Sequence, residues 1–398
     1  MIQKQELNFL FKLFFMIDAL RNICLLFSLL RISTVLLYIV YIIISIIILL
    51  VGLFQFKKPQ KDILYIFLST ALFFLVLIIP FFYGDLSIWK ISSYTPLSFL
   101  LTTLFLCLSR YVIISINTIN FFYKIFIFQA LFCIVRLFLP RSFEYNALVL
   151  NLGNPNQAAI LLWIIFIFCF LDYFRKKKSV LLKVIIFMLF LMIYLTESRT
   201  VIISCFFCFI SYLFIKRKPR KNYLFILFQY FLFLTPILLP TLILFLKNAV
   251  HEEISFLGKG LFSGREKIWE NIILEFFNRP FSSHLDTSPY YSYINQNNSI
   301  LLKAWSAHNG ILSIQWNYGI IVTILTIIIL FINFLDLKKM SQYNGYICIV
   351  YTISLITIFS LSFEEGMLMG NICTTVIIPL LFIIARSEYY NNVIAKRT

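Results

Sequence analysis

Charged side chains are scarce in this sequence. They make up 13% of its 398 residues, whereas hydrophobic side chains make up 61% and the mean hydropathy is +0.92. Soluble domains carry about twice that share of charge, so the composition excludes a soluble domain of any architecture. The fold class that it indicates is an all-α polytopic membrane protein.

Metal-binding patterns are missing as well. The sequence contains 3 histidines, with no His-x-x-x-His spacing and no Asp-x-Asp string. Its 8 cysteines all lie inside apolar runs; Cys205 and Cys208 have the spacing of a metal or redox motif, but their neighbours supply no further ligand. We therefore interpret the cysteines as packed thiols and predict chemistry without a metal or another cofactor.

The basic excess does not indicate nucleic-acid binding. The formal net charge is +17, but Lys and Arg form short clusters between apolar runs. Such clusters bind anionic lipid headgroups and set the orientation in which the helices are inserted. We predict membrane lipid, and no nucleic acid, as their partner.

Apolar runs long enough to cross a bilayer recur from end to end of the chain. A bilayer core needs roughly 20 apolar residues of helix, and the sequence predicts about twelve such helices. They fall at 8–30, 34–56, 63–83, 97–116, 120–139, 157–174, 180–196, 200–215, 222–246, 308–335, 345–362 and 367–385. The first run also suits an interfacial helix, because Lys12, Asp18 and Arg21 interrupt it.

Basic clusters near the predicted helix ends set the orientation. They lie at 57–61, 175–178, 216–221, 338–339 and 396–397. All of them fall on one side if both termini are cytoplasmic, as the positive-inside rule requires. The chain is then one integral-membrane domain over 1–398, with a periplasmic loop at 247–307 inserted between transmembrane helices.

The long predicted loop contains one helical pattern, at 264–277. Its apolar residues share one side and its charged residues lie elsewhere. Two interpretations are equally compatible with this pattern. Either the helix lies in the membrane interface with Trp269 at headgroup depth, or it packs on the outer rim of the bundle.

Two arginines on the predicted outer face are candidates for binding an anion. Arg199 sits in a very short turn between two predicted helices, and Arg265 sits in the first turn of the loop helix. Each has an alternative role: Arg199 can reach lipid headgroups or pair with Glu197, and Arg265 can touch phospholipid. Together, two guanidinium groups can clamp a diphosphate and cancel the charge that grows as it departs.

His308 begins the helix after the long loop. The positive end of a helix dipole disfavours an imidazolium and biases the ring toward the neutral form that a general base needs. A capping role for His308 is the competing interpretation. Glu364 and Glu365, in the last predicted outer turn, are alternative bases or charge partners for the arginines, or a solvated hairpin tip.

A turn-rich string precedes the sixth predicted helix. Gly153 and Pro155 explain it as a helix entry, with Asn154 or Asn156 as the cap. The same amides can also bind sugar hydroxyls.

In this order, the Ser-Arg turn at Arg199, the Gly-Arg-x-x-x-Trp helix at Arg265 and the His-Asn-Gly helix start at His308 resemble the O-antigen polymerase and O-antigen ligase superfamily. The Asn-Pro-Asn string that ends at Asn156 fits the same pattern. The motifs cover about 151–319, and the hydropathy covers the whole chain.

The resemblance implies a membrane glycosyltransferase of the GT-C type at the outer face of the bacterial cytoplasmic membrane. Its donor would be a glycan on undecaprenyl diphosphate, its acceptor another glycan or lipid A core, and its further partner a chain-length regulator. By position, Arg199 and Arg265 would hold the donor diphosphate and His308 would activate the acceptor hydroxyl. Beside these three positions, we predict from the residues themselves that Asn154, Asn156, Trp269, Asn309, Glu364 and Glu365 support the site.

Three functions fit these expectations. The interpretation that we favour is an O-antigen polymerase, since the high Phe, Ile and Tyr content suggests an AT-rich gene of a surface-polysaccharide locus. An O-antigen ligase is the first alternative. A transporter or flippase of lipid-linked oligosaccharide is the second, although transporters place polar residues near the bilayer midplane and have repeated halves.

Overall fold

The structure is a computed structural model that describes fifteen stretches of the chain. These are residues 2–27, 40, 43–44, 46–48, 63–83, 94–144, 147–152, 154–176, 179–216, 223–246, 255–256, 259–260, 265–281, 309–360 and 376–394. The described helices are α1 (Ile2–Phe27), α2 (Ile63–Tyr83), α3 (Tyr94–Ser109), α4 (Ile116–Leu137), α5 (Pro155–Lys176), α6 (Val180–Leu195), α7 (Arg199–Lys216), α8 (Tyr223–Leu246), α9 (Arg265–Asn278), α10 (Gly310–Ser341), α11 (Gly345–Ser360) and α12 (Ile377–Tyr389), which a π-helical turn, Tyr390–Ile394, follows.

Two short antiparallel strand pairs are the other regular structure among the described residues. β1 (Phe143–Glu144) pairs with β2 (Ala147–Leu148), and β3 (Ser255–Phe256) pairs with β4 (Lys259–Gly260). Each pair has two residues a strand, so helices carry the architecture.

The helices confirm an all-α membrane protein. Among the described residues, four are long and apolar enough to cross a membrane: Ile116–Leu137, Pro155–Arg175, Tyr223–Leu242 and Gly310–Ser341. Five shorter apolar helices accompany them. Helices suit this composition because lipid offers no partner for a backbone N–H or C=O, and a helix satisfies those groups internally. Most of the predicted span at 34–56 lies outside the described residues.

Aromatic side chains fill much of the space between the helices. Phe15 of α1 packs on Phe122 of α4, with ring centroids 4.5 Å apart. Phe126 of α4 stacks on Phe168 of α5 at 4.0 Å. Large apolar side chains such as Phe67 and Leu181 are exposed on the outside of the bundle, as expected of a surface that faces lipid.

Two charged residues of α1 are buried. Asp18 is 1% exposed and Arg21 is 6% exposed. Asn22 donates to Asp18 at 3.3 Å and to Gln129 of α4 at 3.5 Å. Asp18 and Arg21 therefore face the protein, as intramembrane charges usually do, whereas Lys12 is half-buried.

A second set of buried charges joins α12 to its neighbours. Arg386 is 1% exposed, and its guanidinium lies 2.9 Å from Asp336 of α10, 2.8 Å from Asn333 Oδ1 and 2.7 Å from the Ser109 carbonyl. Such contacts compensate a charge that would be costly to bury alone. The last turns of α12 are thereby tied to α10 and to the end of α3.

Helix α10 is broken near its start. Gly319 has φ 78° and ψ 179°, which is not helical. Asn309, just before α10, binds the Pro236 carbonyl of α8, while Phe331 of α10 contacts Phe233 of α8, with ring centroids 5.8 Å apart. In a straight helix the two α10 positions would be about 33 Å apart along the axis, against about 5 Å for their α8 partners. The segment before Gly319 must therefore turn back toward α8.

Candidate active site

Arg199 is held at the first position of α7 by a three-residue turn. Thr196 Oγ1 donates to the Ile193 carbonyl at 2.7 Å, and the Ser198 amide donates to Thr196 Oγ1 at 3.3 Å. The Ser198 carbonyl accepts from the Ile202 amide at 3.0 Å, which starts the helix. Arg199 itself is half-buried.

The turn before Arg199 contains a strained residue. Glu197 has φ 56°, in the left-handed region that a residue with a Cβ rarely adopts. Strain of this kind persists where surrounding structure imposes it, and it is concentrated at functional sites. The conformation allows α6 to reverse into α7 within three residues and leaves Arg199 at the helix N-terminus.

Arg265 is the first residue of α9, and this helix packs on the bundle. Its apolar stripe, Ile268, Trp269 and Ile272, is buried against Leu312 of α10, with Leu239 of α8 beside it. Trp269 is 0% exposed. Of the two interpretations of this helix, packing on the rim therefore describes its apolar side, and Trp269 is covered by protein.

Helix α9 and the segment of α10 before Gly319 run parallel. Near their starts, Ile268, Trp269 and Ile272 of α9 form one buried cluster with Leu312 of α10. Beyond the end of α9, the Pro280 carbonyl accepts from the Ile320 amide at 3.0 Å. The two helical segments therefore run in the same direction, and Arg265 and Asn309 lie at the same end of the pair.

Asn309 fastens the start of α10 to α8. Its Oδ1 accepts from the amides of Ile311 and Leu312, each at 3.0 Å, and its Nδ2 donates to the Pro236 carbonyl at 3.2 Å. In a regular helix the amide of residue 240 would bind that carbonyl, but residue 240 is proline. Asn309 therefore caps one helix and satisfies the carbonyl that Pro240 leaves open in another.

The Asn-Pro-Asn string forms a cap, as predicted. Asn154 Oδ1 accepts from the Asn156 amide at 2.8 Å, and the Asn154 carbonyl accepts from the Ala158 amide at 3.2 Å. Asn154 is exposed and Asn156 is half-buried at the first turn of α5.

The structure brings some of the predicted residues together and leaves others outside its described part. Arg265 and Asn309 are joined through α9 and α10. The helix of Arg199 is linked to them less directly: Phe207 of α7 packs on Phe359 of α11, which also contacts Phe231 of α8. His308, Glu364 and Glu365 lie outside the described residues. Within the described part of the chain, no group of three or more His, Cys, Asp or Glu side chains is arranged to hold a metal ion.

Sequence reasoning missed Pro236, Gln315 and Trp316 in this region. Pro236 carried a signal, because a second proline four residues later predicts an unsatisfied carbonyl. Gln315 and Trp316 follow the His-Asn-Gly motif on α10 and line an open groove beside α9. Their sequence context alone does not distinguish them from the rest of an apolar helix.

A comparison with protein families matches the central part of the chain. The family described as O-antigen ligase, Wzy_C, matches residues 184–327. This segment contains Arg199, Arg265 and His308, together with α7, α8 and α9.

A comparison with curated proteins finds a similar relative. It is the ComP-specific O-oligosaccharyltransferase of Acinetobacter baylyi, which is 28% identical over 230 residues. The match covers 54% of this chain and 41% of the relative's own length. The chain therefore matches less than half of that protein.

Proposed function

We propose that this chain is a membrane glycosyltransferase that moves a glycan from a lipid diphosphate donor to a hydroxyl acceptor. The match of residues 184–327 to the family described as O-antigen ligase supports this proposal. The observation that carries the proposal is the parallel pairing of α9 with the start of α10. Arg265, which begins α9, and Asn309, which caps α10, lie at the same end of this packed helix pair.

The parallel direction of that pair supports the proposal of a shared site for Arg265 and His308. Arg265 begins α9, Asn309 caps the start of α10, and His308 directly precedes Asn309 in the sequence. A guanidinium and an imidazole in one site suit a reaction in which one group binds the leaving diphosphate and the other takes a proton from the acceptor.

Arg199 is the second proposed ligand of the donor diphosphate. Like Arg265, it is the first residue of a helix, where first-turn amides have no intrahelical partner and the helix dipole favours an anion. Two arginines bind diphosphate oxygens bidentately, and the charge that they neutralise grows as the bond to the sugar breaks. The diphosphate lipid is the leaving group.

His308 is the proposed general base. A sugar or protein hydroxyl is a weak nucleophile, so a base that removes its proton during attack accelerates the transfer. The cap that Asn309 provides fixes the residue beside His308, and Asn309 is therefore a positioning residue. Glu364 and Glu365 are proposed as charge partners near the same site, and no metal or other cofactor takes part in this mechanism.

The proposed setting is the outer face of the inner membrane, with about twelve transmembrane helices, both termini in the cytoplasm and residues 247–307 in the periplasm. Asn309 binds α8 at Pro236, which is 13 residues after Tyr223, or about 20 Å along the helix. In this orientation the site lies in the outer half of the bilayer, where a polyprenyl lipid places its diphosphate.

The acceptor separates two proposed functions. We favour polymerisation, in which the growing glycan passes to another lipid-linked repeat unit, with transfer to lipid A core as the alternative. The name of the Acinetobacter relative, an O-oligosaccharyltransferase specific for ComP, supports a further candidate, transfer to a protein hydroxyl.

Deletion of the gene distinguishes the three functions. A single repeat unit on the lipid A core indicates that a polymerase has been lost, and bare core with accumulated lipid-linked polymer indicates that a ligase has been lost. Unglycosylated protein with unchanged lipopolysaccharide indicates that an oligosaccharyltransferase has been lost.

Substitution of the proposed residues tests the mechanism. We expect Arg199→Ala, Arg265→Ala and His308→Ala each to lower glycan transfer by about 100-fold or more, because each removes a group that acts in the transition state. Transfer is measured from the complemented deletion strain by gel analysis, with protein level checked in membranes. Arg141→Gln is the matched control, since Arg141 is an exposed arginine in the turn before β1. Normal glycan from the three variants would refute the site.

A further inference from the structure

An open groove lies between the second half of α9 and the start of α10. The groove is shallow: the space between its walls is about 210 Å³, much of it open to solvent, and the walls include Glu275, Phe276, Arg279, Pro280, Gln315 and Trp316. It is lined by side chains that the mechanism above does not use.

One backbone hydrogen bond and one packed side chain join the two walls of the groove. The Pro280 carbonyl accepts from the Ile320 amide at 3.0 Å, directly after the break at Gly319. Trp316 packs against the buried cluster of Ile268, Trp269 and Ile272. The two walls are therefore held at a fixed spacing by contacts that do not require a ligand.

The chemistry of the lining suits a sugar ring. Trp316 and Phe276 offer aromatic faces for the apolar C–H face of a pyranose, and Gln315, Glu275 and Arg279 offer planar donors and acceptors for its hydroxyls. Arg279 Nε lies 3.8 Å from Glu275 Oε1, so this charge pair sums to zero. A neutral sugar fits this lining better than a phosphate.

The groove lies at a distance from the proposed reaction centre that matches a glycan chain. Glu275 is ten residues beyond Arg265 on α9, or about 15 Å, and Gln315 is six residues beyond Asn309 on α10, or about 9 Å. Since the two segments run parallel, both offsets point the same way. The groove therefore lies a few sugar rings away from the proposed reaction centre at Arg265 and the start of α10.

We propose that this groove is a glycan subsite, in which Trp316 stacks on a sugar ring a few units from the transferred bond and Gln315 and Glu275 bind its hydroxyls. The proposal rests on the proposed function, because it assumes that a glycan is the substrate. The ring belongs either to the donor glycan or to the acceptor glycan, and both offer the same chemistry.

Binding of a lipid-free oligosaccharide tests the subsite separately from catalysis. The probe is the oligosaccharide released by mild acid from the lipid-linked glycans of the source cells, and it is titrated onto the full chain in detergent. We expect Trp316→Leu to weaken binding about tenfold, and Gln315→Leu to weaken it without disturbing the Trp316 packing. Phe277→Leu is the matched control, because Phe277 is 73% exposed on α9 and lies outside the groove. The proposal would be overturned if the unaltered protein did not bind the oligosaccharide. It would also be overturned if Trp316→Leu and Gln315→Leu each bound it as tightly as the unaltered protein does.

Transfer kinetics then identify the source of the ring. Donors and acceptors are each supplied with one sugar or with several, and KM is compared between the unaltered protein and Gln315→Leu. A KM increase confined to long donors assigns the ring to the donor, and one confined to long acceptors assigns it to the acceptor. An equal loss for all lengths indicates a structural defect and refutes the subsite. If the unaltered protein binds the oligosaccharide but transfers none, the proposed function fails while the subsite stands.

Discussion

Asn309 links two helices beside the proposed site. It accepts two hydrogen bonds from first-turn amides of α10 and donates one to the Pro236 carbonyl of α8. It is 0% exposed, so water does not replace a partner that a substitution removes. His308 directly precedes it in the sequence.

We expect Asn309→Asp to destabilise the protein by about 1–3 kcal/mol. The carboxylate keeps the oxygen that accepts both cap hydrogen bonds. It removes the Nδ2 donor and places a negative charge beside the Pro236 carbonyl. Thermal unfolding in detergent measures the effect. Asn344→Asp is the matched control. Asn344 Oδ1 also caps a helix, because it accepts from the Tyr346 amide at 2.9 Å at the start of α11, but Asn344 is exposed. An equal shift in both variants would contradict the role assigned to the Pro236 contact.

The sequence could identify Asn309 but not its contacts. The His-Asn-Gly string marks a helix start, and asparagine there predicts a cap, which the structure confirms for α10. The bond to Pro236 depends on how α8 and α10 pack, and no local pattern encodes that. Trp269 is similar: its helical spacing predicted an apolar side, but burial against Leu312 required the fold.

Helix α10 contributes to both the groove and the proposed site, and its shape depends on a break at Gly319. Its apolar run continues through Gly319, so hydropathy predicted one helix over 308–335, and the structure gives Gly310–Ser341 with a break. The backbone at Gly319, with φ 78° and ψ 179°, belongs to a region that is essentially limited to glycine. Glycine alone in an apolar run predicts a weak point, but whether the helix bends there depends on packing such as the Pro280–Ile320 hydrogen bond.

We expect Gly319→Ala to destabilise the protein by about 1–3 kcal/mol and to lower glycan transfer. A Cβ at this φ and ψ is strained whatever space surrounds it, and relief of the strain would move the start of α10 away from α8. The unfolding midpoint in detergent and the transfer assay report the two effects. For comparison, Gly345→Ala at the start of α11 would place its Cβ 3.8 Å from Ile215 Cγ2, an ordinary contact. Unchanged stability in Gly319→Ala would mean that the break is not required.

Helices α1 and α12 both contact the connection between α3 and α4. Asn8 Oδ1 of α1 accepts from the Ser115 amide at 2.8 Å, and Ser387 Oγ of α12 accepts from the Ile114 amide at 2.9 Å. The early turns of α1 and the last turns of α12 therefore lie on the same side of the bundle. The placement of both termini in the cytoplasm stays a prediction.

Cysteine labelling on either side of α10 tests the orientation of the whole molecule. The part of α10 after Gly319, residues 320–341, is about 33 Å long, close to the roughly 30 Å of a bilayer core. Phe281 and Tyr343 are exposed at its two ends, at 65% and 48%. Because Lys338 and Lys339 lie beside Tyr343, the positive-inside rule puts that end in the cytoplasm. We expect an impermeant maleimide to label Phe281→Cys in cells whose inner membrane is intact and Tyr343→Cys after that membrane is opened, relative to the unaltered protein. The reverse pattern would place the proposed site on the cytoplasmic side, where an outward-facing donor does not reach it.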